Sequence, residues 1–128
     1  MASKDKNSFK SRNIFDSFKN AFNGICYGIK NTKNLYIDFI VFILVIIFGF
    51  VFEISLIEWT IVILCSGLVM SLEFVNTAIE EAVNLAEPSY NKIAKASKDV
   101  AAGAVLLAAI FSIVIGLIIF LPKFISLF

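Results

Sequence analysis

The strongest constraint in this sequence is a long apolar segment near its C-terminal end. Residues 100–121 contain no charged side chain. A helix that crosses a membrane needs about 20 predominantly apolar residues, and this segment meets that requirement. A small soluble domain leaves much of its surface in water, where such a segment would be unfavourable. The sequence therefore predicts an integral membrane protein, with residues 1–128 as one domain.

The composition agrees with this prediction and excludes several kinds of site. Hydrophobic residues make up 59% of the 128 residues and charged residues 16%. Soluble domains are about 45–50% apolar and about 25% charged. The chain has no histidine, which excludes an imidazole base or ligand. The two cysteines lack the spacing of a zinc site or a disulfide framework, and no nucleic-acid partner is expected.

Two further apolar segments precede this one. Residues 35–52 are interrupted only by Asp38, and they can span a membrane if that carboxylate lies near the headgroups. Residues 55–86 begin as an apolar segment and carry polar groups on one side beyond Glu73. The chain therefore has three candidate spans, of which the last is the strongest.

Capping residues indicate where these helices begin and end. Ser55 and Glu58 have the S-x-x-E spacing of a capping box, which predicts that a helix starts at Ser55. Pro88 suits the end of that helix, and Ser89 is placed to cap the next one. We predict an all-α fold with transmembrane helices over about 35–52, 55–86 and 90–122.

The N-terminal region predicts an amphipathic surface helix over about residues 12–34. Its apolar residues recur at helical spacing, while lysines and asparagines fall mostly on the other side. The apolar positions are Ile14, Phe15, Phe18, Phe22, Ile25, Cys26 and Ile29. A helix of this kind lies in the membrane interface, and the alternative is that it packs on a partner helix.

The lysines predict the orientation in the plasma membrane. The basic N-terminal region and the loop with Lys92, Lys95 and Lys98 belong on one side, while the turn at residues 53–58 has no Lys or Arg. By the positive-inside rule, the N-terminus is then cytoplasmic and the C-terminus external. Lys123 is a single charge that opposes this assignment.

Five polar residues form a narrow stripe on the second span. They are Glu73, Asn76, Thr77, Glu80 and Asn84. Ionisable groups in a membrane helix usually face a bundle interior or a water-filled cavity. At about 1.5 Å per residue, Glu73 lies about 21 Å below Trp59, and Glu80 about 10 Å further, near the cytoplasmic headgroups.

A structural explanation of the stripe stays open at this point. Asn76 and Thr77 can be hydrogen-bonding contacts between helices, while the glutamates mark the helix end. We prefer that explanation for Glu81 and Glu87. A proton-handling oligomer is another alternative, but the stretch towards the outer face is only weakly polar.

Two motifs resemble a known family. Residues 73–80, E-F-V-N-T-A-I-E, and residues 94–105, A-K-A-S-K-D-V-A-A-G-A-V, closely resemble the bacterial membrane lipid kinases. That family comprises prokaryotic diacylglycerol kinase and the undecaprenol kinase of Gram-positive bacteria. The resemblance extends over about residues 17–123, and residues 53–59 and 118–123 look more like the undecaprenol kinase branch.

The resemblance implies an activity and an assembly. It implies transfer of the γ-phosphate of ATP, with Mg²⁺, to the hydroxyl of undecaprenol, or else of diacylglycerol. It also implies a homotrimer of multi-pass subunits in the bacterial cell membrane, with active sites shared between subunits.

The resemblance also implies roles for individual residues. Glu73 would be the general base, with Asn76 beside it, and Glu80 would bind Mg²⁺. The implied ATP contacts are Glu80, Ser89, Tyr90, Asn91, Lys98 and Asp99. The implied lipid contacts are Glu73 and Ala102.

Two positions depart from the family pattern. The family has a second metal-binding glutamate where this chain has Thr32, and an aspartate where it has Asn84. A threonine hydroxyl is a poor replacement for a carboxylate around Mg²⁺. Asp38 and Glu81 are candidates to compensate. A catalytically weakened member with a structural or binding role is therefore an alternative.

Overall fold

The structure is a computed structural model that describes residues 13–128, and these residues are almost entirely helical. The helices are α1, Ile14–Asn31; α2, Leu35–Val51; α3, Leu56–Ala86; and α4, Lys92–Ile125. No strand occurs within residues 13–128. The predicted all-α class is confirmed.

The observed helix ends differ by a few residues from the predicted ones. Residue 12, where α1 was expected to begin, lies outside the described residues, and residues 32–34 form a turn rather than the end of α1. At the other end of the chain, α4 continues past Pro122. The Pro122 carbonyl accepts a hydrogen bond of 3.1 Å from the Ser126 N–H, so the proline does not end the helix.

The described residues belong to two compact units, divided between Asn31 and Thr32. α1 belongs to the first unit, and α2, α3 and α4 form the second. In α1 the large apolar side chains are exposed, among them Phe15, Phe18 and Phe22. Its assignment as a membrane-surface helix stays a prediction.

Two of the three predicted spans have the length and composition of membrane-crossing helices. These are α3, with 31 residues, and α4, with 34 residues. α2 has 17 residues, so it is about 26 Å long at about 1.5 Å per residue. This length is slightly less than the hydrocarbon thickness of about 30 Å. A third span through α2 stays a prediction.

The capping box predicted at the start of α3 is present. The Ser55 hydroxyl accepts a hydrogen bond of 3.2 Å from the Glu58 N–H, and the Glu58 carboxylate accepts one of 3.0 Å from the Ser55 N–H. These bonds satisfy two N–H groups that a helix start leaves unpaired. The local pattern alone was sufficient to place this boundary.

The predicted cap of the next helix is wrong. Asn91 caps α4, and its side-chain oxygen accepts hydrogen bonds of 2.8 Å from Ile93 and 3.2 Å from Ala94. Ser89 instead donates to the Glu87 carboxylate at 2.5 Å. Serine and asparagine both suit a cap position, but Asn91 directly precedes the first helical residue and Ser89 does not.

The turn from α2 to α3 closes with two backbone hydrogen bonds of the Schellman type. The Ile54 N–H donates to the Gly49 carbonyl at 3.1 Å, and the Glu53 N–H donates to the Phe50 carbonyl at 3.3 Å. Glu53 has a φ of 51°, the left-handed conformation that this motif requires. Ile54, 6% exposed, is thereby directed into the core.

The core of the second unit lies near this turn. Ile54, Val62 and Ile119 form its buried centre. Aromatic side chains of α2, α3 and α4 pack around them, including Phe52, Trp59 and Phe120. Along their whole lengths, α4 packs closely on α3, while α2 contacts α3 much less. The cluster around Ile54 joins all three helices at this end.

An ion pair connects the beginning of α3 with the end of α4. The Lys123 Nζ atom lies 3.4 Å from the Glu58 carboxylate. Lys123 was the charge that opposed the predicted orientation. Its positive charge is balanced by Glu58 at the same end of the bundle.

Gly49 has no space for a side chain. A Cβ atom there would lie 2.5 Å from Cη2 and 2.8 Å from Cζ2 of Trp59. We expect Gly49→Ala to displace the indole ring and lower the free energy of unfolding by about 1–3 kcal/mol, as overpacking does. Thermal unfolding followed by tryptophan fluorescence measures this. Gly67→Ala is the matched control, because a Cβ there has nothing within 4 Å, and unchanged unfolding of Gly49→Ala would contradict the packing.

Candidate active site

The C-terminal half of α3 carries the polar stripe on one face. Glu73, Asn76, Thr77 and Glu80 are half-buried, and Asn84 is exposed. The first four residues follow the spacing i, i+3, i+4 and i+7, which places their side chains on the same side of a helix. The structure therefore brings these four predicted residues together.

Asp38 of α2 is a neighbour of this stripe. The Glu73 carboxylate interacts electrostatically with the carboxylates of Asp38 and Glu80. The sequence suggested Asp38 only as a compensating metal ligand, and its place beside Glu73 was missed. The available signal was a lone carboxylate in an apolar segment, since such residues usually have a functional reason.

Two buried oxygen atoms near the stripe have no hydrogen-bond donor among residues 13–128. They are Oδ2 of Asp38 and Oδ1 of Asn76. A buried acceptor left unpaired costs about 1–3 kcal/mol. Both atoms can be satisfied by a hydroxyl proton or by a hard cation. A bound group that supplies hydrogen-bond donors or positive charge would therefore satisfy both oxygen atoms.

The oxygen ligands of α3 fit Mg²⁺ bound together with a phosphate. No three Asp, Glu or Cys side chains within the described part of the chain form a closed metal site. Mg²⁺ usually binds through one or two carboxylates while phosphates and waters complete its octahedron. Glu80 and Asn76 are four residues apart on one helix face, so a carboxylate and an amide oxygen are available to one ion.

Thr32, the position where the resemblance expects a second metal ligand, lies directly against the stripe. The residue is 7% exposed, and its Oγ1 atom is 3.0 Å from Oγ1 of Thr77. Thr32 is therefore buried against α3 rather than exposed to water. The Thr32 hydroxyl is already hydrogen-bonded to the Thr77 hydroxyl, which carries no charge.

An apolar cavity of about 410 Å³ lies between α2, α3 and α4, with Asp38 in its lining. Its other polar lining groups are Cys65, Ser66 and Ser112. The Ser66 and Ser112 hydroxyls donate to carbonyls of their own helices, at 2.9 Å and 2.8 Å. The wall is therefore apolar apart from Asp38, which suits a hydrocarbon chain with its polar end at Asp38.

The predicted ATP contacts on α4 make no hydrogen bond or ion pair with this cluster among the described residues. Asp99 is exposed and forms an ion pair of 2.6 Å with Lys95, one turn earlier. Lys98 is half-buried, and Ala102 is exposed. No hydrogen bond or ion pair described for residues 13–128 joins these residues to the α3 stripe.

The predicted ATP contacts before α4 have local partners. Asn91 is the helix cap and Ser89 bonds to Glu87, while Tyr90 is 81% exposed. These residues form a polar, accessible segment between α3 and α4. No hydrogen bond described for residues 13–128 joins them to Glu80.

Comparison with known proteins gives a consistent result. The sequence model of the prokaryotic diacylglycerol kinase family matches residues 19–120. The undecaprenol kinase of Bacillus subtilis (strain 168) is 44% identical over 123 residues, which cover 96% of this chain and 99% of that relative. The diacylglycerol kinase of Synechocystis sp. (strain PCC 6803) is 39% identical over 116 residues, which cover 90% of this chain and 66% of that relative. No solved structure matches the chain.

Proposed function

The chain belongs to the prokaryotic diacylglycerol kinase family and is a membrane lipid kinase, and on that basis we propose that it phosphorylates undecaprenol with ATP. The observation that carries this choice is the similarity to the Bacillus undecaprenol kinase, which is 44% identical and covers nearly the whole of both chains. The product is undecaprenyl phosphate. Diacylglycerol, which would yield phosphatidate, is the second candidate substrate.

The cavity supports a lipid alcohol as the acceptor. Its apolar wall suits a hydrocarbon chain, and Asp38 in that wall is close enough to Glu73 for the two carboxylates to interact. A hydroxyl group at the end of such a chain can donate to the unpaired Oδ2 atom of Asp38. This arrangement directs the hydroxyl towards Glu73.

Glu73 acts as the general base in the proposed reaction. Its carboxylate accepts the proton of the lipid hydroxyl, and the lipid oxygen forms a bond to the γ-phosphorus of ATP. The bond from that phosphorus to the β–γ bridging oxygen breaks, and ADP leaves. Asn76 orients the reacting groups through its amide. Phosphoryl transfer depends mainly on positioning and charge stabilisation, which a site of this size can supply.

Glu80, with the amide oxygen of Asn76, would hold Mg²⁺, which neutralises phosphate charge when bound. We assign the remaining ATP contacts to Ser89, Tyr90, Asn91, Lys98 and Asp99, and a lipid contact to Ala102. Lys95 already balances the charge of Asp99. The ammonium group of Lys98 therefore supplies the positive charge that we assign to the phosphates.

We also propose the predicted assembly and topology. The exposed apolar side chains of α1 and α4 support contact with lipid and with other subunits of a homotrimer. The lysine distribution supports a cytoplasmic N-terminus and an external C-terminus. The Glu58–Lys123 ion pair balances the one lysine at the external end.

Cysteine labelling tests the topology. In a background with Cys26 and Cys65 replaced by serine, a membrane-impermeant thiol reagent should label Phe128→Cys in intact cells. The same reagent should label Ser3→Cys only after the membrane is permeabilised. The reverse pattern would place the ATP site on the wrong side of the membrane.

A competition assay tests the substrate. Purified protein receives γ-labelled ATP, Mg²⁺ and equimolar undecaprenol and diacylglycerol in the same mixed micelles. We expect at least about 10-fold more label in undecaprenyl phosphate than in phosphatidate, the size of a discrimination that pocket contacts supply. A preference for diacylglycerol would overturn the substrate assignment but leave the assignment as a lipid kinase unchanged.

Thr32 favours a second candidate, a family member with weakened catalysis. Its hydroxyl bonds to Thr77 instead of offering a carboxylate to the metal. The lipid phosphorylation assay distinguishes the two candidates. A weakened member would phosphorylate neither lipid faster than a Glu73→Gln variant does.

A further inference from the structure

We propose that the hydroxyl pair of Thr32 and Thr77 is a positioning contact that holds the beginning of α2, and with it Asp38, against Glu73. The two Oγ1 atoms are 3.0 Å apart, and they join residues that are separated by 45 positions in the sequence. Thr77 stands one turn from both Glu73 and Glu80 on the same face of α3. The contact therefore lies on the face of α3 that carries the polar stripe.

The pair is part-buried, and Thr32 is its more buried member. Thr32 is 7% exposed, so water reaches its hydroxyl poorly when Thr77 is lost as a partner. A buried hydroxyl that loses its partner is left unsatisfied, which is more unfavourable than replacing both hydroxyls by apolar groups. Removing one threonine hydroxyl should therefore destabilise the packing of α2 on α3 more than removing both.

The location of the core explains why α2 needs this contact. The buried centre of Ile54, Val62 and Ile119 lies at the far end of α2, about 25 Å from its beginning at about 1.5 Å per residue. Over its whole length α2 packs sparsely on α3. Leu35 is buried at the beginning of α2. An apolar contact is not directional, however, so it does not fix the orientation of the helix.

Like charges act against the Thr32–Thr77 contact. The Asp38 carboxylate interacts with that of Glu73, and two carboxylates repel one another when both are ionised. This repulsion tends to separate α2 from α3 near Asp38. Because the threonine pair is neutral, it opposes the separation whether or not a cation is bound.

The consequence for the reaction rests on the proposed function. Asp38 lines the cavity, so the position of α2 sets the width of the proposed lipid site. The assigned ATP groups lie on α3, on α4 and between them. Loosening the beginning of α2 should therefore weaken the use of lipid and leave the use of ATP unchanged.

Substitutions at the two threonines test this inference in the full-length protein. Thr77→Val and Thr32→Val should each raise the KM for undecaprenol about 5- to 10-fold, with the KM for ATP unchanged. Thr77→Ser should restore the native KM, because it keeps the hydroxyl. The double variant Thr32→Val/Thr77→Val should be no worse than either single variant. A uniform fall in maximal rate with both KM values unchanged would indicate a merely structural role and overturn the inference.

A cross-linking measurement tests the contact without any activity. In the background lacking Cys26 and Cys65, Thr32→Cys/Thr77→Cys should form a disulfide on mild oxidation in native membranes, since the side chains are within reach. Thr32→Cys/Gly67→Cys is the control and should stay reduced. Failure of the first pair to cross-link overturns the contact. Cross-linking in a protein that phosphorylates no lipid would instead overturn the proposed function.

Discussion

Replacing Glu73 by glutamine should lower the turnover number for lipid phosphorylation by at least about 100-fold, the usual contribution of a general base. Glutamine keeps the size of the side chain but cannot accept the proton of the lipid hydroxyl. The loss should appear in kcat, with the oligomeric state and the thermal midpoint little changed. Initial rates with γ-labelled ATP in mixed micelles measure it.

Glu53→Gln is the matched control for this change. Glu53 is an exposed glutamate in the turn between α2 and α3, remote in the chain from the polar stripe. The same change from carboxylate to amide should leave turnover there within about 2-fold, as for surface substitutions. Near-native turnover of Glu73→Gln would show that Glu73 is not the general base.

Replacing Thr32 by glutamate should tighten Mg²⁺ binding and make the stability of the protein depend on Mg²⁺. The new carboxylate enters a position that is 7% exposed, close to the carboxylates of the stripe. With Mg²⁺ and ATP it adds a hard oxygen ligand. We expect the Mg²⁺ concentration for half-maximal activity to fall about 10-fold, equivalent to about 1.4 kcal/mol.

Without the cation, the same carboxylate is a buried, uncompensated charge. We expect Thr32→Glu to lose about 3 kcal/mol of stability in a chelator, as when a buried charge lacks its partner. Its thermal midpoint should recover when Mg²⁺ is added. Thr32→Gln is the control, because it also breaks the Thr32–Thr77 contact but adds no charge. Superimposable Mg²⁺ titrations of the two variants would show that this position does not contribute to metal binding.

Local sequence patterns predicted most of the fold. The apolar lengths of α3 and α4 identified them as candidate spans, and the Ser55–Glu58 spacing located the start of α3 within one residue. The choice between Ser89 and Asn91 as a cap was not decided by sequence. Both residue types suit the position, and the path of the backbone after Pro88 decides between them.

The helical face of the candidate site was also predictable, because Glu73, Asn76, Thr77 and Glu80 share one helix. The contacts across helices were not. The Thr32–Thr77 hydrogen bond joins residues 45 positions apart, and the approach of Asp38 to Glu73 depends on how α2 packs on α3. No periodicity within one helix contains that information.

The most direct test of the account is transfer of the γ-phosphate of ATP to undecaprenol by the purified protein. Native protein and Glu73→Gln are incubated in undecaprenol micelles with γ-labelled ATP, with Mg²⁺ or with a chelator. The account predicts labelled undecaprenyl phosphate from native protein with Mg²⁺, and at most about 1% of that rate from the variant or with the chelator. Equal labelling by native protein and Glu73→Gln, or label appearing only as free phosphate, would contradict it.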